Sequence, residues 1–419
     1  MKNAKKLTAL LLSLALVFAL AACGGNPGGG ATSTPAPVDQ NTPAPATQTP
    51  DDQTPANTEF RVAMITDYGD ITDESFNQTT YEACKAFCDA NGVDFTYKKP
   101  AGDSTPDRVA MVDVAVAEDY NVIVMPGFAF GATIIEVAEL YPDVKFIALD
   151  VAAGDILEAG VAKAGETYDY NPENWDVTEY YHAENVYCAV YQEELSGYMA
   201  GYAAVKLGYK HLGFLGGMSV PAVVRYGYGF VQGADAAAAE MGITGDVTIE
   251  YVYGNQFSGD ADITAYMDTW YSNGVEVVFA AGGSIYTSAC EAAAKTDGKL
   301  IGVDVDQAAI INAYGEGMTV TSAMKGLEPT VLATLDDVIN NGNWADYSGK
   351  IETLGLVSGD DPSLNYVQLP ESTQWSDSFG EADYQALVKG MYDGTIKVSN
   401  DVTAEPAVTI TVNYLGTIK

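Results

Sequence analysis

Four carboxylates, Asp67, Asp70, Asp73 and Glu74, fall within the stretch TDYGDITDESFNQ, directly after an apolar run. Acids at this density suit three kinds of chemistry: coordination of a metal ion, paired acid and base catalysis, or acceptance of hydrogen bonds from a neutral ligand. An EF-hand calcium loop alternates its acids, turns on a central Gly and closes on a Glu. Counted from Asp67, the corresponding residues are Gly69, Ile71 and Gln78, so the pattern fails. The chain has two histidines, His182 and His211, too few for a His-based triad or an HExxH zinc site. Neither a phosphate-loop spacing nor a GxSxG elbow occurs. No metal and no cofactor is expected.

The elements that would position these acids are legible as alternating patterns. Short apolar runs at 60–65, 93–98, 121–125 and 144–149 alternate with helical periodicity, and a second series follows at 211–216, 247–253, 275–280 and 299–303. Continuous apolar strands joined by helices predict parallel sheets covered on both faces. Two such series predict an α/β protein of two doubly wound lobes.

In open α/β sheets, ligands collect beyond the carboxyl ends of the strands. Asp67, Gly127, Phe128 and Asp150 stand there in the first series, and Gly216, Gly217, Gly282, Gly283 and Asp304 in the second. Asp73 reads as the N-cap of the helix that follows, with Asn91-Gly92 as its left-handed stop. Asp70 and Glu74 read as solvated. That leaves Asp67 and Asn77 beside Phe76, with a second aromatic, Tyr226, early in a helix of the second series. Such a pair offers two faces to a flat ring and carboxylates to its polar edge. The neutral-ligand reading therefore fits best, and no catalytic residue is assigned.

Several glycines carry structural readings. Gly227, Gly229 and Gly233 are spaced one residue too long for a dinucleotide fingerprint and read as close helix packing. Gly197, Ala200, Gly201 and Ala204 form a small-residue stripe read as packing on a sheet. Ser219 reads as the cap of the helix that begins at Pro221, and Gly242 as its end. The Tyr-, Trp- and acid-rich stretch 158–185 reads as a surface insertion between the lobes, whose aromatics either line a cleft rim or pack on the lobe beneath, with packing favoured.

The amino terminus has a basic region (Lys2, Lys5, Lys6), an apolar run to Leu20 and LAAC ahead of Gly24. The run is too short for a spanning helix and reads as an export signal with a lipobox, cleaved to leave a lipidated Cys23. Residues 24–58 are rich in Gly, Pro, Thr and Ala without an aromatic, a composition that stays extended and disordered. The division expected is a signal peptide over 1–22, lipidated Cys and tether over 23–58, lobe 1 over 59–187 plus about 307–350, and lobe 2 over 188–306 plus about 351–419. Cys84, Cys88, Cys188 and Cys290 read as buried free thiols. The 419-residue chain is 47% hydrophobic with a formal net charge of −37, which excludes nucleic acid as a partner.

TDYGDITDESFNQ, YMAGYAA, LGFLGG, VRYGYGFVQGA, IGVDVDQ and TSAMK resemble, in order and context, the basic membrane protein family. These are substrate-binding lipoproteins of ABC transporters, similar to purine nucleoside receptors. The resemblance covers roughly residues 60–370. It implies the type I periplasmic-binding-protein fold, with two lobes joined by several crossovers. It also implies a monomer held at the outer face of a bacterial membrane by lipid, handing a purine nucleoside to an ABC permease. By the same resemblance, Phe76 stacks on the purine beside Asn77 and Asp67, Asp150 accepts from the base edge and Tyr226 covers the opposite face. Asp304 and Lys325 hold ribose hydroxyls, and Gly282 and Gly283 allow close approach. Nucleosides should bind far better than their monophosphates, whose phosphate would meet only Lys325. The other readings are a nucleoside-cleaving hydrolase and a receptor for another small neutral molecule.

Overall fold

The computed structural model describes residues 59–418; the export signal, Cys23 and the tether lie outside them. The strands are β1 (Arg61–Ile65), β2 (Asp94–Lys98), β3 (Val122–Pro126), β4 (Lys145–Leu149), β5 (Val186–Tyr191), β6 (His211–Gly216), β7 (Thr248–Tyr253), β8 (Val277–Ala281), β9 (Lys299–Asp304), β10 (Thr319–Lys325), β11 (Ile351–Leu354), β12 (Val367–Gln368) and β13 (Thr411–Thr417). The helices are α1 (Phe76–Asn91), α2 (Thr105–Ala117), α3 (Phe130–Val137), α4 (Ala153–Lys163), α5 (Val177–Tyr180), α6 (Glu193–Lys206), α7 (Pro221–Met241), α8 (Ala261–Ser272), α9 (Tyr286–Ala293), α10 (Ala308–Asn312), α11 (Leu327–Asp336) and α12 (Glu381–Tyr392).

One sheet runs β11-β5-β4-β3-β1-β2 and the other β12-β10-β9-β8-β6-β7-β13. Pairing is parallel throughout except where β12 lies antiparallel to β10. The inner strands are apolar on both faces because helices cover both: β3 and β8 are buried over their whole length. One hydrophobic core joins residues of α1, α6, α7, α11 and α12 with both sheets. Separate clusters fill the opposite faces, under α2 to α4 in the first lobe and α8 to α10 in the second. Each sheet reverses its strand order once, between β1 and β3 and between β6 and β8, and ligands collect at such switch points.

The division drawn from sequence differs from the pairing at the crossovers. β10 lies in the second sheet and β11 in the first, each on the other side of that division. The chain therefore crosses between lobes three times: after β5, after β10 and after β11. The crossovers run side by side. Gln192 N donates to Leu354 O at 2.9 Å, Gly326 N to Tyr366 O at 2.6 Å and Tyr366 N to Gly355 O at 3.0 Å. Gly355 lies against the Gln192 side chain, where a Cβ would sit 1.7 Å from Oε1.

Local readings fared unevenly. Gly92 ends α1 with φ 64°, and Gly242 ends α7 with φ 68°. Ser75, not Asp73, occupies the N-cap position of α1, yet Asp73 does the capping. Its carboxylate accepts the backbone N–H groups of Ser75, Asn77 and Gln78, each at 3.0 Å. Glu74, at φ 52°, turns the chain so that Asp73 can reach over the helix start. Ser219 does not cap α7: Val220 stands at that position without a side-chain bond.

The small-residue stripe on α6 faces α7 rather than a sheet. A Cβ on Gly197 would lie 2.2 Å from Tyr226 O and one on Gly201 2.1 Å from Phe230 O. Gly229 and Gly233 return the contact, at 2.1 Å from Glu194 O and 2.0 Å from Tyr198 O. Packing explains those glycines, and the partner is a helix because both helices carry small residues at matching turns. In the 158–185 stretch, Tyr168, Tyr170, Trp175 and Tyr180 pack mainly on one another, while Val177 and Tyr181 rest on the first-lobe core. Cys84, Cys88, Cys188 and Cys290 are free and buried.

Candidate functional site

The carboxyl ends of β1, β3, β4, β6, β8, β9 and β10 open onto one cleft of about 470 Å³, within the size range of small-molecule sites. All ten residues named from the sequence, from Asp67 to Lys325, lie on the wall of this cleft.

Lys325, at the end of β10, sits at the centre. Its ammonium lies 2.6 Å from Asp150 Oδ2, 3.1 Å from Glu193 Oε1 and 3.9 Å from Asp304 Oδ1. It also lies 5.1 Å from the ring centre of Phe76 and 5.4 Å from those of Tyr191 and Tyr226, within cation–π range. Burial works to lower its pKa, and the charges of Asp150, Glu193 and Asp304 outweigh it, so the lysine stays protonated. Burial raises the Asp150 carboxyl, with Lys325 opposing. Glu193 goes the other way. Burial would raise it, but the Arg225 and Lys325 charges prevail and hold it below the ordinary value; its Oε2 accepts from Arg225 Nε at 2.6 Å.

Glu193, Arg225, Ser75 and Phe257 are the residues that sequence reasoning missed. Glu193 opens α6 beside Glu194, and both acids are buried. Ser75 Oγ donates to Asp304 Oδ2 at 2.6 Å. Phe257 lines the cleft and occupies the room left by glycines: a Cβ on Gly217 would lie 2.6 Å from its ring and one on Gly283 2.8 Å from its carbonyl. Gly282 (φ 159°) would meet Gly217 at 2.9 Å. Gly282 and Gly283 thus admit Phe257 and Gly217 and also lie on the cleft wall. Arg225 is a second cation on the cleft wall, so Lys325 is not the sole one that a phosphate would meet.

On the first-lobe side, Gly127 (φ 130°) makes room for Asp67, since a Cβ there would lie 1.7 Å from Asp67 Oδ2. Burial pushes the Asp67 carboxyl up to about 6, against the pull of the Tyr68 backbone N–H and the Arg108 charge. Tyr68 stacks on Phe128, ring centres 5.8 Å apart. Asn77 Nδ2 donates to Asp73 Oδ2 at 3.1 Å, which turns Asn77 Oδ1 the other way. Asp70 is exposed and paired with Lys99, and Glu74 is exposed, as expected. Tyr226 is buried at 2% exposure, its ring edge-on to Phe279 at 5.8 Å and its hydroxyl donating to Asp304 Oδ1 at 3.2 Å.

Two acceptors on the cleft wall, Asp150 Oδ1 and Asn77 Oδ1, are buried and make no hydrogen bond among the described residues. A buried acceptor left alone costs about 1–3 kcal/mol, so both favour a ligand that brings N–H or O–H groups. Among the described residues no group of His, Cys, Asp and Glu is arranged to hold a metal ion.

A family model described as Bmp, ABC transporter substrate-binding protein PnrA-like, matches residues 60–360. An ABC transporter nucleoside-binding protein BmpA of Lactococcus lactis subsp. cremoris is 25% identical over 263 residues, 60% of this chain and 65% of the relative. The chain thus spans just under two thirds of that relative's length. An uncharacterized lipoprotein of Pyrococcus furiosus is 24% identical over 71% of this chain and 68% of its own. An ABC transporter solute-binding protein from Aeropyrum pernix K1 shares the fold, with a TM-score of 0.59 and 20% identity over 82% of this chain and 88% of that one. The chain belongs to the Bmp family of ABC transporter substrate-binding proteins. Strands β12 and β13 and helix α12, beyond residue 360, lie outside the matched region and extend the second lobe.

Proposed function

We propose that this member of the Bmp family captures a purine nucleoside between its lobes and passes it to the permease of an ABC transporter. Membership of a substrate-binding family implies a small ligand and a permease partner; the nucleoside is the finer step. The observation that carries it is the placing of Asp150 Oδ1 and Asn77 Oδ1, two buried acceptors without partners, beside the ring of Phe76 on the same cleft wall. A purine offers a flat face to the aromatic side chain and N–H groups to the acceptors, and a base stacked on an aromatic gains about 1–3 kcal/mol. The name of the Lactococcus lactis relative, a nucleoside-binding protein, points the same way.

Asp67, Phe128 and Gly127 close the base side in this reading, with Asp304 and Lys325 at the sugar end and Glu193 buried behind Lys325. The three crossovers form the hinge, and closure around the ligand buries it between two surfaces. Acids dominate the cleft, and both cations on its wall are engaged by Glu193, so a phosphate would be repelled without a free cation to receive it. Lipidation of Cys23 would keep the receptor at the outer face of the membrane, several acyl chains each contributing about 0.8 kcal/mol per buried CH₂.

Calorimetric titration of the purified full chain, unfolded and refolded to strip carried-over ligand, tests the reading. Purine nucleosides should bind one to one, with monophosphates at least about tenfold weaker. Equal affinity for the two, or silence across nucleosides, sinks it. Recovery of free base and ribose would make the chain a nucleoside-cleaving hydrolase, and heat with a sugar alone would make it a receptor for another neutral ligand.

A further inference from the structure

Asp304 differs from the other cleft carboxylates in having both oxygens occupied by protein hydroxyls. Ser75 Oγ donates to Oδ2 at 2.6 Å from the first lobe. Tyr226 donates to Oδ1 at 3.2 Å from α7, with the Lys325 ammonium at 3.9 Å from the same oxygen. The group is buried, at 5% exposure, and so is Tyr226, at 2%. Asp304 also sits at φ 65°, a left-handed backbone that aims its side chain from the end of β9 into this pair of donors.

Two hydroxyls, one on each oxygen, is the arrangement a vicinal diol adopts when it chelates a carboxylate. Here the protein supplies both. A site discriminates strongly against a ligand lacking a hydroxyl only when that absence leaves a buried protein group unpaired. At Asp150 and Asn77 a missing donor would do so; at Asp304 it would not, because Ser75 and Tyr226 remain.

We propose that the Ser75 and Tyr226 hydroxyls set the sugar selectivity of the cleft by satisfying Asp304, so that it takes ribonucleosides and deoxyribonucleosides alike. This rests on the nucleoside reading above and names the ligand class within it. Tyr226 is the specificity-determining residue: it keeps the aromatic wall and removes the demand for a ligand hydroxyl.

Titrate the purified full chain and its Tyr226→Phe variant with adenosine, guanosine and inosine and with their 2′-deoxy and 3′-deoxy counterparts. The unaltered chain should bind ribo and deoxy forms within about threefold of each other, whereas Tyr226→Phe, with Oδ1 released, should favour the ribo form at least about tenfold. Ser75→Ala releases the other oxygen and should shift the ratio in the same direction, which keeps the inference testable if Tyr226→Phe does not fold. A ribo preference above about thirtyfold in the unaltered chain, or ratios that neither substitution moves, overturns it while leaving the nucleoside reading intact. Failure to bind any of the nine compounds overturns both at once.

Discussion

Lys325 Nζ lies 2.6 Å from Asp150 Oδ2, an ion pair that ties the end of β10 in the second sheet to the end of β4 in the first. It stands at the crossing of the lobes, and Glu193, buried behind the cleft wall, links it to Arg225 in a chain of alternating charges. Opposite charges taken out of water stabilise a fold only when each keeps its partners. The consequences can be measured.

Replacing Lys325 by Met leaves Asp150, Glu193 and Asp304 facing one another without the cation between them. Loss of one partner from a buried pair destabilises by about 3–5 kcal/mol. Urea unfolding should show that drop in the ligand-free protein, and under the nucleoside proposal binding should weaken with it. A midpoint unchanged from the parent would mean that the ammonium does not hold the cluster.

Phe76 is only partly buried against the core, so Phe76→Ala should fold. Its expected effect is on binding, a loss of about 1–3 kcal/mol from the removed stacking face. Calorimetry with purine nucleosides reads this directly, and an unaltered Kd would contradict the proposed stacking role of Phe76.

The Asp67 carboxyl sits at about 6, raised by burial from an ordinary value of about 3.9. A raised carboxyl means that the folded state holds the proton more tightly than the unfolded chain. Its contribution is therefore fully present below about pH 4 and is lost as pH rises through about 6. Asp67→Asn should flatten this dependence, giving a variant more stable than the parent at pH 7.5 by about 1–3 kcal/mol and little different near pH 4. Denaturant midpoints at the two pH values check it; parallel curves for the two proteins would contradict it.

Gly233→Ala would set a Cβ 2.0 Å from the carbonyl oxygen of Tyr198, backbone that cannot step aside without parting α6 from α7. Overpacking of this kind destabilises by about 1–3 kcal/mol. The thermal midpoint should fall, and a midpoint at or above the parent's would show that the helices have slack.

Cys84, Cys88, Cys188 and Cys290 are buried free thiols, and burial pushes the Cys88 and Cys290 thiols up to about 12. The thiolate is the reactive form. A thiol reagent followed by peptide mapping should label none of the four in the native protein and all of them in denaturant.

The sequence by itself determined what local physics controls. Apolar runs such as VIVM and KFIAL specify strands that water cannot reach, Gly92 and Gly242 end helices because only a residue free at positive φ turns there cheaply, and Asp67, Asp150 and Asp304 follow their strands by chain order. Strand ends in a doubly wound fold converge, so most of the cleft could be assembled from order alone. Only the tertiary structure decided where the crossovers fall: β11 pairs with β5, far away in the chain, while β10 stays beside its near neighbour β9. It likewise decided that Glu193 is a buried counter-ion rather than a solvated acid, because its partners Arg225 and Lys325 come from other elements. The same holds for Asp304, whose acceptors were visible as a residue type while the hydroxyls that occupy them arrive from Ser75 and Tyr226. A residue's type states what it can bond; only the packing of distant segments states what it has already bonded.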